Sequence, residues 1–153
     1  MHKISFFVQR SAKLCFLLPL FLCFFALGDF LAFGKDRRTC VYYSLDGKRQ
    51  IVEERLLPRT DSKEAAISEY VEDLLLGPAS LQEAPLINQG AVINLLMLRE
   101  GVVFLDMSQE AAIPPAEGGD VLRNLEAVKY GIRRNFPYVK EVKIFIDGNE
   151  SGK

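Results

Sequence analysis

The segment DSKEAAISEYVEDLLLGP, residues 61–78, decides how the rest of the chain is read. Asp61 and Glu64 stand at capping-box spacing, so Asp61 is expected to cap a helix while Glu64 reaches back to the cap. Ile67, Val71, Leu74 and Leu75 follow at i, i+4, i+7 and i+8, one face of a helix. Gly77 and Pro78 then supply a glycine that closes the helix and a proline that cannot continue it. A helix with one apolar stripe must bury that stripe against another element.

The flanking sequence provides strands for it. Upstream, TCVYYS (Thr39 to Ser44) is rich in β-branched and aromatic residues, Asp46-Gly47 is a hairpin turn signal, and Arg49 to Leu57 reads as the returning strand, stopped by Pro58. Downstream, residues 79–90 are irregular. Ala91 to Leu98 and Val102 to Met107 form a second hairpin around Arg99-Glu100-Gly101. A loop containing Pro114, Pro115, Gly118 and Gly119 leads to Asp120. This residue caps a second helix marked by Val121, Leu125, Val128 and Ile132 and closed by Pro137. Glu141 to Ile146 alternates as a last strand, with Val142, Ile144 and Ile146 facing one way. The expected fold is therefore α/β (α+β) in the order ββαββαβ. It is a two-layer sandwich of two helices on a mixed sheet of about five strands, preceded by an N-terminal apolar helix.

That leading segment is a separate region, residues 1–38, with its apolar core at 14–33 (LCFLLPLFLCFFALGDFLAF). Lys3, Arg10 and Lys13 precede it, as a cytoplasmic flank does, and Asp29 is its single charge. Twenty residues at about 1.5 Å each span roughly 30 Å, enough for an uncleaved anchor. The uninterrupted run from Leu14 to Leu27 equally fits a signal peptide, and small residues near Gly28 and Gly34 suit cleavage. Both readings place residues 39–149 outside the cytoplasm, with 150–153 as a polar tail.

Beyond the apolar core, in residues 34–153, sixteen basic residues face nineteen acidic ones, a net charge of −3 that does not suit a nucleic-acid binder. Cys15 and Cys23 lie in the apolar run, so Cys40 is alone in the exported part and the fold must rest on its core. The chain's one histidine is His2. Histidine triads and His-rich zinc sites are thereby excluded from the domain. Glu53 and Glu54 are adjacent on a strand and point to opposite faces. Asp106, in an apolar strand beside Phe104, reads as a strand-end acceptor, and Cys40 as a buried, inert thiol. No catalytic, cofactor-binding or metal-binding residue is assigned, and no cofactor is expected. What remains is a charge division. The first helix carries Glu69, Glu72 and Asp73, and the second Arg123, Lys129, Arg133 and Arg134. Opposite helix faces of this kind could join copies head to tail.

In order and spacing these segments resemble a GerMN domain, a module of bacterial sporulation and germination proteins. The resemblance rests on VYYSLDGKRQIVEERLLPR, EYVEDLLLGP, GVVFLDMSQE and VKEVKIFIDG, which together cover nearly all of Val41 to Gly148. LINQGAVIN and VKYGIRRNF depart from the family pattern. The resemblance implies a membrane-associated, extracytoplasmic domain without known catalysis. The expected function is a non-enzymatic interaction or assembly module whose partner is another envelope protein or a second copy, held at the membrane by the N-terminal segment. The alternative is an envelope ligand-binding module for cell-wall glycan or a small metabolite, with Tyr42, Tyr43, Tyr70, Tyr130 and Tyr138 as candidate stacking surfaces.

Overall fold

A computed structural model describes residues 19–28, 34–115 and 119–151. They fall into two units, the first ending at Lys35 and the second starting at Asp36. In the first unit residues 19–28 are helical (α1). Its Leu20, Phe21, Leu22, Phe24, Phe25 and Leu27 are 55–73% exposed. No helix among the described residues is long and apolar enough to cross a membrane. Residues 14–18 and 29–33 of the expected apolar core lie outside the described residues.

From Lys35 onward the elements are β1 (Lys35–Ser44), β2 (Gln50–Pro58), α2 (Lys63–Leu76), β3 (Glu83–Ala84), β4 (Ile93–Arg99), β5 (Val102–Met107), a 3₁₀ helix (Gln109–Ala112), α3 (Val121–Asn135), β6 (Glu141–Ile146) and β7 (Asn149–Glu150). The single five-stranded sheet expected from the sequence is not what forms. Hydrogen bonding divides the strands into one sheet of order β2-β1-β3 and another of order β4-β5-β6-β7. Two strands are only two residues long. One, β3, lies inside the stretch taken as irregular and pairs Tyr43 with Ala84. The other, β7, takes Glu150 from the supposed tail and pairs it with Phe145. Neither has enough residues to show an alternating pattern, so both escape a reading by periodicity.

Turn chemistry sets the hairpins. Glu100 and Gly101 both have positive φ, as do Asp147 and Gly148, the conformation that matches the twist of paired strands. Asp106 accepts the Gly148 N–H at 3.0 Å and so anchors the last turn. Between β5 and β6 the pairing is parallel, which requires a crossover, and α3 supplies it. Val103, Leu105 and Met107 are fully buried along β5. Each such side chain contributes about 1.5–3 kcal/mol relative to exposure.

The first helix begins one residue later than its capping pattern suggests. Ser62, not Asp61, is the cap, and its hydroxyl accepts the Ala65 N–H at 3.0 Å. Glu64 is thereby released from a capping role and accepts the Leu98 N–H of β4 at 2.8 Å. At α3 the expected cap is found, with Asp120 accepting from Arg123 N–H. The buried face of α2 consists of Ile67, Tyr70, Val71 and Leu74. Tyr70 takes the place expected for half-exposed Leu75.

α2 packs on β2 in the first sheet, on β4 in the second and on α3. Where α2 meets α3, Gly131 lies against the Tyr70 hydroxyl, and a Cβ there would collide with it. Tyr70 donates to the Thr39 carbonyl at 3.1 Å. Asn135, at the end of α3, donates to the same carbonyl at 2.7 Å and accepts the Thr39 N–H at 2.8 Å.

Gly131→Ala is expected to lower stability by about 2 kcal/mol, the scale of overpacking a tight interior. The loss should be smaller in a Tyr70→Phe background, where the obstructing oxygen is gone. Urea unfolding of the four proteins of this double-mutant cycle checks the coupling.

Candidate functional site

Of the residues nominated from the helices, Glu72, Arg133 and Arg134 are exposed, while Asp73, Lys129 and Arg123 have partners within the domain. Asp73 turns inward, its side chain 15% exposed, and lies 3.6 Å from an Arg55 nitrogen. Lys129 pairs with Glu126 at 2.7 Å on its own helix. Arg123 lies over the Tyr43 ring at 4.3 Å and donates to the Gly47 carbonyl at 3.2 Å. Arg134 donates to the Tyr130 hydroxyl at 2.9 Å. Glu72 accepts from Ser68 at 3.0 Å. Glu69 is half-buried and Arg133 exposed. Exposed charge is thus thinner than the sequence suggests, because helical periodicity does not show which polar residues reach a neighbouring strand.

Two polar constellations were not read from the sequence. The first surrounds Arg55 on β2. Its Nη2 donates to Glu53 at 2.7 Å and to the Gly77 carbonyl at 3.0 Å, and its Nε donates to the same Glu53 oxygen at 3.1 Å. Glu53 also accepts the Ala79 N–H at 3.2 Å. One guanidinium thus ties β2 to the end of α2 and, through Asp73, to its last two turns. Burial by itself would raise the Glu53 carboxyl, but Arg55 and the Ala79 N–H outweigh it and hold it below the usual carboxylate range. Burial, then the Glu53 charge, pushes Glu83 of β3 up. With both groups ionised neither can donate, and Glu83 Oε2 is buried without a partner. A proton on Glu83 directed at Glu53 removes the conflict.

Cys40 and Tyr42 of β1 adjoin this cluster. Burial, reinforced by Asp73, pushes the Cys40 thiol up to about 12. It therefore stays protonated and is a poor nucleophile. The Tyr42 hydroxyl is buried with no partner. No group of three His, Cys, Asp or Glu side chains among the described residues is arranged to hold a metal ion.

The second constellation is a cleft of about 270 Å³ between the β1–β2 turn and the head of α3. Tyr43, Ser44, Asp46, Pro85, Arg123 and Asn124 are among its lining residues. Asn124 is 4% exposed, and neither its Oδ1 nor the Arg123 Nε has a hydrogen-bond partner. Ser44 donates to Asp46, whose carboxyl this bond and the Lys48 N–H hold low. Of the five tyrosines considered as stacking surfaces, Tyr42 and Tyr70 are fully buried. Tyr43 is the one lining this cleft. An asparagine in the first turn of a helix, next to the arginine of an Asp-x-x-Arg cap, is the available sequence signal.

Two sheets joined by α2, with a polar cluster on one and a cleft beside the head of α3, define a small mixed α/β domain. The chain belongs to the sporulation and spore germination family, whose Germane domain model matches residues 40–152. The first GerMN domain of the sporulation protein GerM from Bacillus subtilis shares the fold at a TM-score of 0.56 and 19% identity, over 75% of this chain and 85% of that one. The tandem GerMN domains of the same protein give 0.57 at 17% identity, over 76% of this chain and 41% of the tandem. At these identities the likeness is one of fold. Among curated proteins none matches this chain.

The Arg55 cluster makes stability depend on pH. Because Glu83 is raised in the folded state, its favourable contribution is complete below its unfolded value and is lost as pH rises through the folded one. Glu83→Gln should therefore raise the melting temperature at neutral pH by an amount equivalent to roughly 1 kcal/mol. The gain should disappear below the ordinary glutamate range. Thermal unfolding of both proteins across that window measures it.

Proposed function

We propose that this chain is a non-enzymatic extracytoplasmic module that acts by binding another envelope protein or a second copy of itself, with its N-terminal segment directing it to or across the cytoplasmic membrane. The outer face of the second sheet carries this reading. Pairing registers place Leu95 and Met97 of β4 on one face with Phe104 of β5 and Phe145 of β6. Leu95 is 55% and Met97 38% exposed, and both phenylalanines are only half-buried. The helices pack with the fully buried residues of β5 on the opposite face, so this one is left to solvent. These apolar residues share the face with Asp106 and Lys143, and a mixed, exposed sheet face of this kind suits a protein contact.

Cys40 is a protonated thiol and Asp106 is committed to a turn, which suits a binding role. The exposed apolar residues of α1 and the basic residues ahead of them support export or anchoring.

A photo-crosslinking side chain at Met97 is expected to capture an envelope protein or a second copy in intact cells, and Leu95→Glu to reduce capture at least tenfold. No product from that position would overturn the reading. Contact through the sheet should survive high salt, whereas contact through Glu69, Glu72, Arg133 and Arg134 would weaken with it. Intact mass of the membrane-extracted protein is expected to correspond either to the full chain or to one shortened near Gly28 or Gly34.

A further inference from the structure

We infer that the outer face of the second sheet closes against the same face of a second copy of this chain, around a twofold axis running along β5. The inference rests on the sheet-face contact proposed above and names its partner.

The pairing registers lay this face out in three rows. Arg99, Val102 and Glu141 form the first, Met97, Phe104 and Lys143 the second, and Leu95, Asp106 and Phe145 the third. Opposite charges thus stand at the two corners of the first row. Arg99 is exposed, and its side chain has no hydrogen bond or ion pair among the described residues. The Glu141 side chain is 57% exposed, and the Lys143 ammonium is 3.9 Å away, beyond hydrogen-bond length. Both corner charges are therefore available to a partner.

Two twofold arrangements bring such a face against itself. An axis parallel to the strands keeps each row in place and exchanges β4 with β6. It sets Arg99 over Glu141 of the second copy and repeats that pair at the opposite corner. It also sets Leu95 over Phe145, Met97 over the aliphatic stem of Lys143, and Phe104 over its own counterpart. An axis across the strands instead exchanges the first row with the third. Arg99 then lies over Leu95 and Glu141 over Phe145, which strips water from two charges without pairing them. Charge complementarity selects the first arrangement. It uses one patch on both subunits, as a closed dimer requires, and aligned sheets pack in this way about 10 Å apart.

Size sets the strength of the contact. Three strands about 4.8 Å apart and six residues of about 3.3 Å each give a face of roughly 300 Å². That is well below the roughly 800 Å² per partner of a standard stable interface, so association is weak and depends on concentration. The exposed corner pairs fix the register more than they add affinity, and the contact persists in high salt. One like-charge approach opposes it, between Asp106 and its counterpart near the axis. Each of these carboxylates already accepts a Gly148 N–H in its own copy.

Sedimentation equilibrium of the full chain in detergent, at rising concentration, tests the inference. A monomer–dimer equilibrium is expected. Arg99→Glu and Glu141→Arg should each weaken dimerisation at least tenfold, because each sets like charges against one another at both corners. The double variant, Arg99→Glu with Glu141→Arg, should recover dimerisation to within about threefold of the original chain. Asp106→Asn keeps an acceptor for Gly148, removes the facing charges and should tighten the dimer. A monomer at every concentration, a dimer that neither single variant weakens, or a double variant as weak as the singles would overturn the inference. Photo-crosslinking at Met97 that captures a different protein and never a second copy would also overturn it, while leaving the broader reading of the face standing.

Discussion

Thr39 is held on both its backbone groups by one side chain from the far end of the domain. The Asn135 amide accepts its N–H and donates to its carbonyl, as a neighbouring strand would. Tyr70 adds a third bond to the same carbonyl, and Arg38 closes the junction by donating to the Asn135 carbonyl at 3.1 Å and lying over the Phe136 ring at 4.5 Å. β1 belongs to one sheet, while α3 packs on the other through β6. This junction therefore holds two sheets together as one body. Gly131 is required at its centre because α2 and α3 approach as closely as the Tyr70 oxygen allows.

The cluster around Arg55 serves the same end from the opposite side. Arg55 reaches the Gly77 carbonyl at the end of α2, and Glu53 takes the Ala79 N–H just beyond it. The first sheet is thereby tied to α2 at its C-terminus and to α3 at Thr39. Arg55, Glu53 and Asp73 are each less than a quarter exposed. Pairing at such depth matters more for the cost of losing one member than for net stability. By contrast, Arg37 and Glu54 sit 69% and 61% exposed, and such a pair contributes little.

These ties leave two surfaces unused by the fold. One is the outer face of the second sheet around Met97, where Leu95, Phe104 and Phe145 alternate with Asp106 and Lys143. The other is the cleft at Arg123 and Asn124, where polar groups are buried and unmatched. The acidic and basic helix faces inferred from the sequence are reduced accordingly, because Asp73, Lys129 and Arg123 have partners within the domain.

Local physics is legible in the chain alone. The two helices, the Asp120 cap, the Gly77 stop, the hairpin turns at Glu100-Gly101 and the burial of Cys40 all follow from residue type and spacing. So does the likeness to GerMN domains, carried by motifs such as LLLGP and FIDG. Tertiary structure alone decided the rest. Strands of two residues have no period to read, and the division into two sheets depends on which edges meet. The start of α2 moved by one residue to Ser62, and Glu64 found its acceptor role with Leu98, 34 positions away. For the same reason the site residues Arg55, Glu83 and Asn124 stayed hidden. A polar side chain declares its charge in sequence, but its partner is chosen only when distant segments pack.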